Sequence, residues 1–223
     1  MTNTIQRIGV EEGYDLWAED YDATPNPIVA MDARHTIGLL APRAGEWILD
    51  AGCGTGRNLG PLLAAGSRVV GLDFSLGMLR VARRKFPAAP LLRGDLQRDF
   101  PIEAGRFDAV LCALIGEHLD DLPPVFREIR RALRPSGRFV FSVYHPALAM
   151  AGKEANFTRG AVEYRLGAVR HTVADYREQI AAAGFAQTAG HEFDCDTSLV
   201  AAVPAAAKYH GQPVLLAIEA RNG

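Results

Sequence analysis

Between about residue 45 and residue 145 the chain alternates short apolar runs with longer amphipathic ones, and this rhythm constrains its fold more than any other feature. Residues 47–49, 68–72, 91–92, 107–112 and 138–144 read as strands. Helical patterns at 57–65, 75–85 and 125–133 lie between them, the last with Phe126, Ile129 and Leu133 at helical spacing. Arg134-Pro135-Ser136-Gly137 stops that helix, because a residue before proline is pushed out of the α region. Alternation of this kind predicts a parallel sheet with helices on both faces.

The flanks depart from it. Residues 1–44 read as an N-terminal helical cap, with helices at 10–21 and 28–40 separated by Pro25-Asn26-Pro27. Residues 146–170 show no clear period and hold Phe157 and Tyr164 among small and polar residues, so they are a candidate substrate lid or an ordinary loop. A helix at 173–183 follows Thr172, with Asp175 in its first turn as a cap partner. Runs at 185–195 and 213–219, joined by a moderate loop, suggest an antiparallel hairpin at the sheet's edge. The expectation is one α/β domain over 1–223, with a cap (1–44), a core (45–145), the 146–170 segment and a C-terminal helix and hairpin (171–223).

Composition narrows the functional classes. With 48% hydrophobic residues the chain has enough apolar surface to offset chain entropy, so disorder is excluded as its main state. Its 24 Lys+Arg against 26 Asp+Glu give a net charge of −2, which supplies no general positive field for nucleic acid or an anionic membrane. Cys53, Cys112 and Cys195 are far apart and form no CxxC pair, which disfavours a disulfide scaffold or a cysteine-rich zinc site. The first seven residues lack a signal-peptide layout, and no apolar run approaches the ~20 residues that span a bilayer. A cytoplasmic protein is expected, as a monomer or homodimer.

Asp50-Ala51-Gly52-Cys53-Gly54-Thr55-Gly56 sits where the first core strand turns into a helix. Glycines at alternate positions let a ligand lie against the backbone, and N–H groups at the helix start favour an anionic or electron-rich group. The spacing is G-x-G-x-G, whereas a dinucleotide fingerprint has G-x-G-x-x-G, and no Lys-Ser/Thr follows to make a P-loop. The next strand ends at Asp73, where a carboxylate accepts ribose hydroxyls. These residues point to a ligand with an unmodified ribose that need not carry phosphate.

The Asp50–Gly56 run and Gly71-Leu72-Asp73-Phe74-Ser75 resemble the first two motifs of class I S-adenosylmethionine-dependent methyltransferases. Gly94-Asp95-Leu96, the run from Phe107 to Cys112 and the turn from Leu133 to Arg138 resemble three more, in the same order. Tyr14-Asp15 and Tyr21-Asp22 extend the resemblance into the N-terminal helix of small-molecule members. The resemblance implies a Rossmann-like seven-stranded sheet, five strands parallel plus the antiparallel hairpin. It implies S-adenosyl-L-methionine as cofactor, S-adenosyl-L-homocysteine as product and a small-molecule acceptor methylated on O, N or C. Carried over by position, Gly52, Cys53, Gly54 and Gly56 form the loop against the methionine portion and ribose. Asp50 reaches the methionine amino group directly or through water, and Asp73 accepts the ribose hydroxyls. Phe74 and Met78 flank the adenine, Asp95 and Leu96 meet its edge, Ala113 and Leu114 line the sulfonium, and Tyr21 closes the site from above.

Other residues invite weaker readings. Cys53 and Cys112 lack the context of a cysteine nucleophile, and Ala113-Leu114-Ile115 is not the signature of DNA-adenine enzymes. Glu117-His118 resembles part of a metal site whose first glutamate is replaced by Leu114, so no metal is expected and a helix-end or surface role is favoured. Arg127, Arg130, Arg131 and Arg134 form a basic stripe opposite the apolar face, as on a solvated helix. His145, at the end of the fifth strand, is either a general base for the acceptor or a strand terminator before Pro146. His171 is either an acceptor contact or a helix-entrance residue. Rival functions are a non-catalytic S-adenosylmethionine-binding module, which would lack a productive acceptor pocket, and a nicotinamide-dependent reductase, which the glycine spacing opposes.

Overall fold

The computed structural model describes residues 4–98 and 100–223. It opens with a strand, β1 (Thr4–Arg7), then α1 (Val10–Trp17), a 3₁₀ turn (Tyr21–Ala23) and α2 (Pro27–Leu40). The start of α2 follows from its sequence. Asn26 Oδ1 accepts from the Ile28 and Val29 N–H groups at 2.9 and 3.4 Å, and Pro27 occupies the first turn, where its missing N–H matters least.

Alternation then runs through β2 (Trp47–Ala51), α3 (Leu59–Ala64), β3 (Arg68–Asp73), α4 (Leu76–Lys85), β4 (Leu91–Arg93), β5 (Phe107–Ala113), α5 (Leu122–Ala132) and β6 (Leu133–Tyr144). After them come α6 (Pro146–Met150), β7 (Ala155–Arg159), β8 (Val162–Gly167), α7 (Val173–Ala182), β9 (Phe185–Asp194), α8 (Thr197–Ala202) and β10 (Pro213–Asn222). Seven strands form the main sheet in the order β4-β3-β2-β5-β6-β10-β9. The first five are parallel, and β10 and β9 are antiparallel additions.

The central strands are buried on both faces, which is why they read as continuous apolar runs. One face packs Phe139 and Phe141 against Phe126 and Ile129 of α5 and Tyr176 and Ile180 of α7. The other packs Ile48, Leu111 and Val140 against Leu40, Leu59 and Leu62. Strand order reverses between β2 and β5, so the carboxyl ends of β2, β3 and β5 surround the crevice where open α/β sheets take ligands.

Several expectations are corrected. The N-terminal cap is not wholly helical, because β1 pairs in parallel with β8, and β8 pairs antiparallel with β7, in a separate three-stranded sheet. Residues 146–170 are therefore neither a loop nor patternless: they hold α6 and this hairpin. The missed signal is Val162-Glu163-Tyr164-Arg165-Leu166, an apolar–polar alternation. Helix α1 lies close on this sheet, since a Cβ on Gly13 would fall 2.6 Å from Leu166. The β9–β10 connection holds α8 and a 3₁₀ segment rather than a plain loop. Helix α5 starts at Leu122, with Pro123 and Pro124 in its first turn; of the expected basic stripe, Arg131 pairs with Glu128, and Arg134 falls beyond the helix in β6 and pairs with Asp108.

Candidate cofactor and acceptor site

A cavity of about 290 Å³ opens above the carboxyl ends of β2, β3 and β5. Its floor is the glycine loop. The Gly52 and Cys53 N–H groups both donate to the Leu72 carbonyl, at 2.8 and 2.9 Å, and so fold the loop over β3. Gly54 has φ +53° and its N–H donates to Asp73 Oδ2 at 2.8 Å, while Ser75 N–H donates to Asp73 Oδ1 at 2.9 Å. A Cβ on Gly54 would meet no protein atom within 4 Å, so its face is open to a ligand. Gly52 differs, since a Cβ there would stand 2.6 Å from Ile115 Cγ2.

Most of the predicted cofactor residues converge here. Tyr21, Gly52, Cys53, Gly54, Asp73, Phe74 and Met78 line the cavity, as do Asp95, Leu96, Ala113 and Leu114. Two of the predicted set do not. Gly56 faces away from the cavity: a Cβ there would lie 3.1 Å from the Phe86 ring and from Leu59, so this glycine allows close packing behind the loop. Asp50 is fully buried behind the wall, with neither carboxyl oxygen hydrogen-bonded to a described residue.

The N-terminal segment roofs the cavity through specific ties. Asp15 Oδ1 accepts from Ser75 Oγ at 2.6 Å and Gly77 N–H at 2.7 Å, fixing α1 over the start of α4. Thr55 Oγ1 donates to Asp22 Oδ1 at 2.7 Å, joining the 3₁₀ turn to the glycine loop. Tyr14, Arg57, Asn58 and His118 also line the cavity and were not singled out for it from sequence. The tie between Tyr14 Oη and His118 Nε2 spans 2.8 Å.

A second cavity, of about 220 Å³, adjoins the first and shares Tyr14, Tyr21 and Leu114 with it. Leu114 stands at the junction with φ +58°, a left-handed backbone that costs a non-glycine residue on the order of 1–3 kcal/mol and collects at functional sites. Its N–H donates to the Ser142 carbonyl at 2.8 Å, which holds the strained turn in place. Glu117 and Tyr144 line the second cavity, together with residues 153–156 and the 3₁₀ segment before β10. Glu117 is buried and His118 half-buried at the end of a 3₁₀ turn (Gly116–His118), so the helix-end reading holds and the surface one does not.

His145 and His171 are corrected in position. Tyr144 lines the second cavity, whereas His145, just past the end of β6, lines neither cavity. There its Nδ1 accepts from Ala147 N–H at 3.2 Å, capping α6, and its Nε2 lies 3.1 Å from Glu192 Oε2. His171 Nε2 donates to the Leu119 carbonyl at 2.7 Å beside the Thr172–Asp175 capping box, and lines neither cavity. Accordingly His145→Ala should lower stability by about 1 kcal/mol, a typical cap loss, with S-adenosylhomocysteine affinity unchanged within twofold. A tenfold weaker affinity by calorimetry would refute this structural role.

Burial shapes the electrostatics. Desolvation pushes Asp50 up to about 7, against the nearby Arg57 charge and the Asn58 side chain, and Asp73 up to about 6, against the backbone N–H groups of Ser75, Gly54 and Phe74. Glu117 is pushed up to about 8, and His118 down to about 4, by the same cause. A carboxyl raised in the folded state contributes stability that is present at low pH and lost as pH rises through its folded value. His118 acts oppositely, but only between about 4 and its unfolded value near 6.5. Above that, Asp50 and Glu117 dominate, so the ligand-free protein should lose stability from about pH 6.5 to 8, by at most ~1.4 kcal/mol per pH unit per group. Denaturation midpoints across that window test this, and Glu117→Gln should flatten the slope. A slope that rises, or is untouched by the substitution, would contradict it.

With this geometry established, the chain can be set beside known proteins that share its fold. Residues 49–141 match the family described as methyltransferase domain, and the chain carries the class I S-adenosylmethionine-dependent methyltransferase fold. S-Adenosylmethionine is the cofactor of that class. Among particular proteins, it is 32% identical over 140 residues to a malonyl-acyl-carrier-protein O-methyltransferase of Serratia marcescens, covering 63% of this chain and 54% of that one. It is 34% identical over 142 residues to a demethylmenaquinone methyltransferase of Streptomyces avermitilis, covering 61% of each. The chain thus spans a little over half the length of these curated relatives. An S-adenosylmethionine-dependent methyltransferase from Mesorhizobium loti superimposes with a TM-score of 0.73 at 24% identity, covering 88% of this chain and 100% of that one. No helix among the described residues is long and apolar enough to cross a membrane.

The residues present suit that cofactor. Each Asp73 oxygen takes one backbone N–H and keeps acceptor capacity for a ribose hydroxyl. The open face of Gly54 leaves room against the loop, and the buried Asp50 carboxyl, with no close hydrogen bond among the described residues, acts electrostatically with the cavity's Arg57 and Asn58.

Proposed function

We propose that the protein transfers a methyl group from S-adenosylmethionine to a small-molecule acceptor held in the second cavity. The observation that carries this reading is the pair of adjoining cavities, which share Tyr14, Tyr21 and the strained Leu114. When bound, the cofactor supplies a methyl group already electrophilic on positively charged sulfur. Asp73 binds the ribose hydroxyls, and Phe74 and Met78 flank the adenine, with Asp95 and Leu96 at its edge. Ala113 and Leu114 set the boundary between methyl donor and acceptor. Asp50 acts on the methionine amino group through the wall that Asn58 and Arg57 complete.

The chain's own contribution is alignment, which is worth up to ~7–11 kcal/mol where reacting atoms are held in line. Helix α1 and the 3₁₀ turn roof both cavities, the residues leading into β7 close the second, and together they keep water from the reacting atoms. Separate calorimetric titrations with S-adenosylhomocysteine and NADH test the cofactor half, and only the first should bind. Transfer of a labelled methyl group to members of a metabolite library, with none transferred to RNA or protein fractions, tests the acceptor half. Labelling confined to macromolecules would overturn the small-molecule reading.

A further inference from the structure

The second cavity is chemically polarised. At the end next to Leu114 stands Glu117, 7% exposed, whose Oε2 is buried without a hydrogen-bond partner among the described residues. The backbone around it is fixed: the Glu117 carbonyl accepts from Val169 N–H at 2.8 Å, and the His118 carbonyl accepts from Gln97 Nε2 at 3.2 Å. Tyr14, Trp17 and Tyr21 form one wall as a packed aromatic group, with Trp17 and Tyr21 ring centroids 4.9 Å apart. Aromatic faces beside a single buried carboxyl attract cations.

The outer end is the opposite. Lys153 and Lys208 line it, each beside the Tyr209 ring, and neither has a carboxylate partner among the described residues. Glu154 nearby is already paired with Arg7 and Arg165. The same lysines line a third depression that continues the chamber outward.

We propose that the acceptor is a small amine carrying an anionic group, carboxylate or phosphate, at its far end, with Glu117 receiving the amine's proton and Lys153 and Lys208 holding the anion. This rests on the methyltransferase reading above. The step balances. The nitrogen lone pair forms the new N–C bond as the S–C bond breaks with its electrons kept by sulfur, and the one proton lost from nitrogen passes to Glu117 and then to solvent. An alcohol lacks the cationic form that this aromatic, carboxylate-tipped end favours.

The charge of Glu117 is felt by Tyr14 and Tyr21 from the roof, Cys112 from β5, Tyr144 from β6 and Tyr176 from α7, His118 Nε2 lies 3.9 Å from its Oε1, and the positive charge of Lys153 acts on it from across the cavity. Burial holds the tyrosines and the cysteine uncharged and His118 neutral, so near pH 7 the proton that changes hands on binding is that of Glu117, pushed up to about 8. Binding of an ammonium there should expel about one proton, because the new cation favours the ionised carboxyl.

The test is calorimetry at pH 7 on protein loaded with S-adenosylhomocysteine, in two buffers of different ionisation enthalpy. Probes are ω-amino carboxylates and ω-amino alkyl phosphates of two to five methylenes, the matching plain alkyl amines and the matching hydroxy acids. At least one amino-anion should bind, about tenfold or more tighter than its plain amine and its hydroxy acid, with release of about one proton. The carboxylate and phosphate arms decide which anion the lysines take. Glu117→Gln should weaken the preferred probe at least about tenfold and abolish proton release, with S-adenosylhomocysteine affinity kept within threefold. Lys153→Ala/Lys208→Ala should remove the preference for the anionic probe while leaving proton release intact. Failure of S-adenosylhomocysteine itself to bind would sink the methyltransferase reading. Binding of S-adenosylhomocysteine with no amino-anion bound, hydroxy acids bound equally well, or full affinity in Glu117→Gln would overturn the acceptor assignment alone.

Discussion

Gly54→Val should abolish measurable S-adenosylhomocysteine binding, at least about a hundredfold in Kd, in a protein that still folds. The reasoning begins with what the new side chain meets. A Cβ at this position finds no protein atom within 4 Å, so valine creates no internal clash and its methyl groups project into the cavity. Its backbone sits at φ +53°, which a β-branched residue tolerates poorly, and a stability loss of about 1–3 kcal/mol is expected from that alone. The loop is anchored at both sides, by the Gly54 N–H to Asp73 and by Gly52 and Cys53 to Leu72, so it does not retreat to make room. Gly56→Ala is the informative contrast. Its Cβ would press on Phe86 and Leu59 behind the loop, so it should lower the melting temperature while binding survives. Gly54→Val with wild-type affinity, or Gly56→Ala as the variant that loses binding, would show that the ligand lies elsewhere.

The contrast between those two glycines shows where sequence reading has purchase. The parallel core was legible because its evidence is local: strand runs, a glycine turn and Asp73 one strand later are contiguous patterns with direct structural meaning. The spacing of glycines did not say which of them faces the ligand, since what separates Gly54 from Gly56 is the Phe86 and Leu59 side chains standing behind the second. Strand β1 was invisible for another reason. Four exposed residues carry no usable period, and their partner, Val162 to Arg165, lies more than 150 residues away. His145 stands at the expected end of the fifth strand, but it caps the following helix and lines neither cavity, a local use of the side chain that its position alone does not reveal. The acceptor chamber was least legible. Its walls come from α1, the turn after β5, the end of β6, the residues after α6 and the segment before β10, and only the fold brings Glu117 and Lys153 into one space.

Asp73→Ala should weaken S-adenosylhomocysteine by roughly a hundredfold to ten-thousandfold, from two charge-assisted hydrogen bonds worth ~1.5–3 kcal/mol each. Two effects must be separated, because Asp73 also holds the loop through Gly54 and Ser75. Removing it leaves those two N–H groups without their acceptor, yet it also removes a buried carboxyl whose desolvation has already pushed it up to about 6. These oppose one another, so the melting temperature should move by only a few degrees. A double-mutant cycle isolates the direct contact: wild-type and Asp73→Ala proteins are each titrated with S-adenosylhomocysteine and with its 2′-deoxy analogue. The wild type should lose affinity for the deoxy ligand, whereas the variant should bind both alike, since the hydroxyl has no carboxylate left to meet. The same contact predicts that wild-type affinity falls as pH drops below about 6, where Asp73 takes up a proton and one oxygen ceases to accept. Equal losses for both ligands in the variant would mean that Asp73 only shapes the loop and that the ribose is held by other groups.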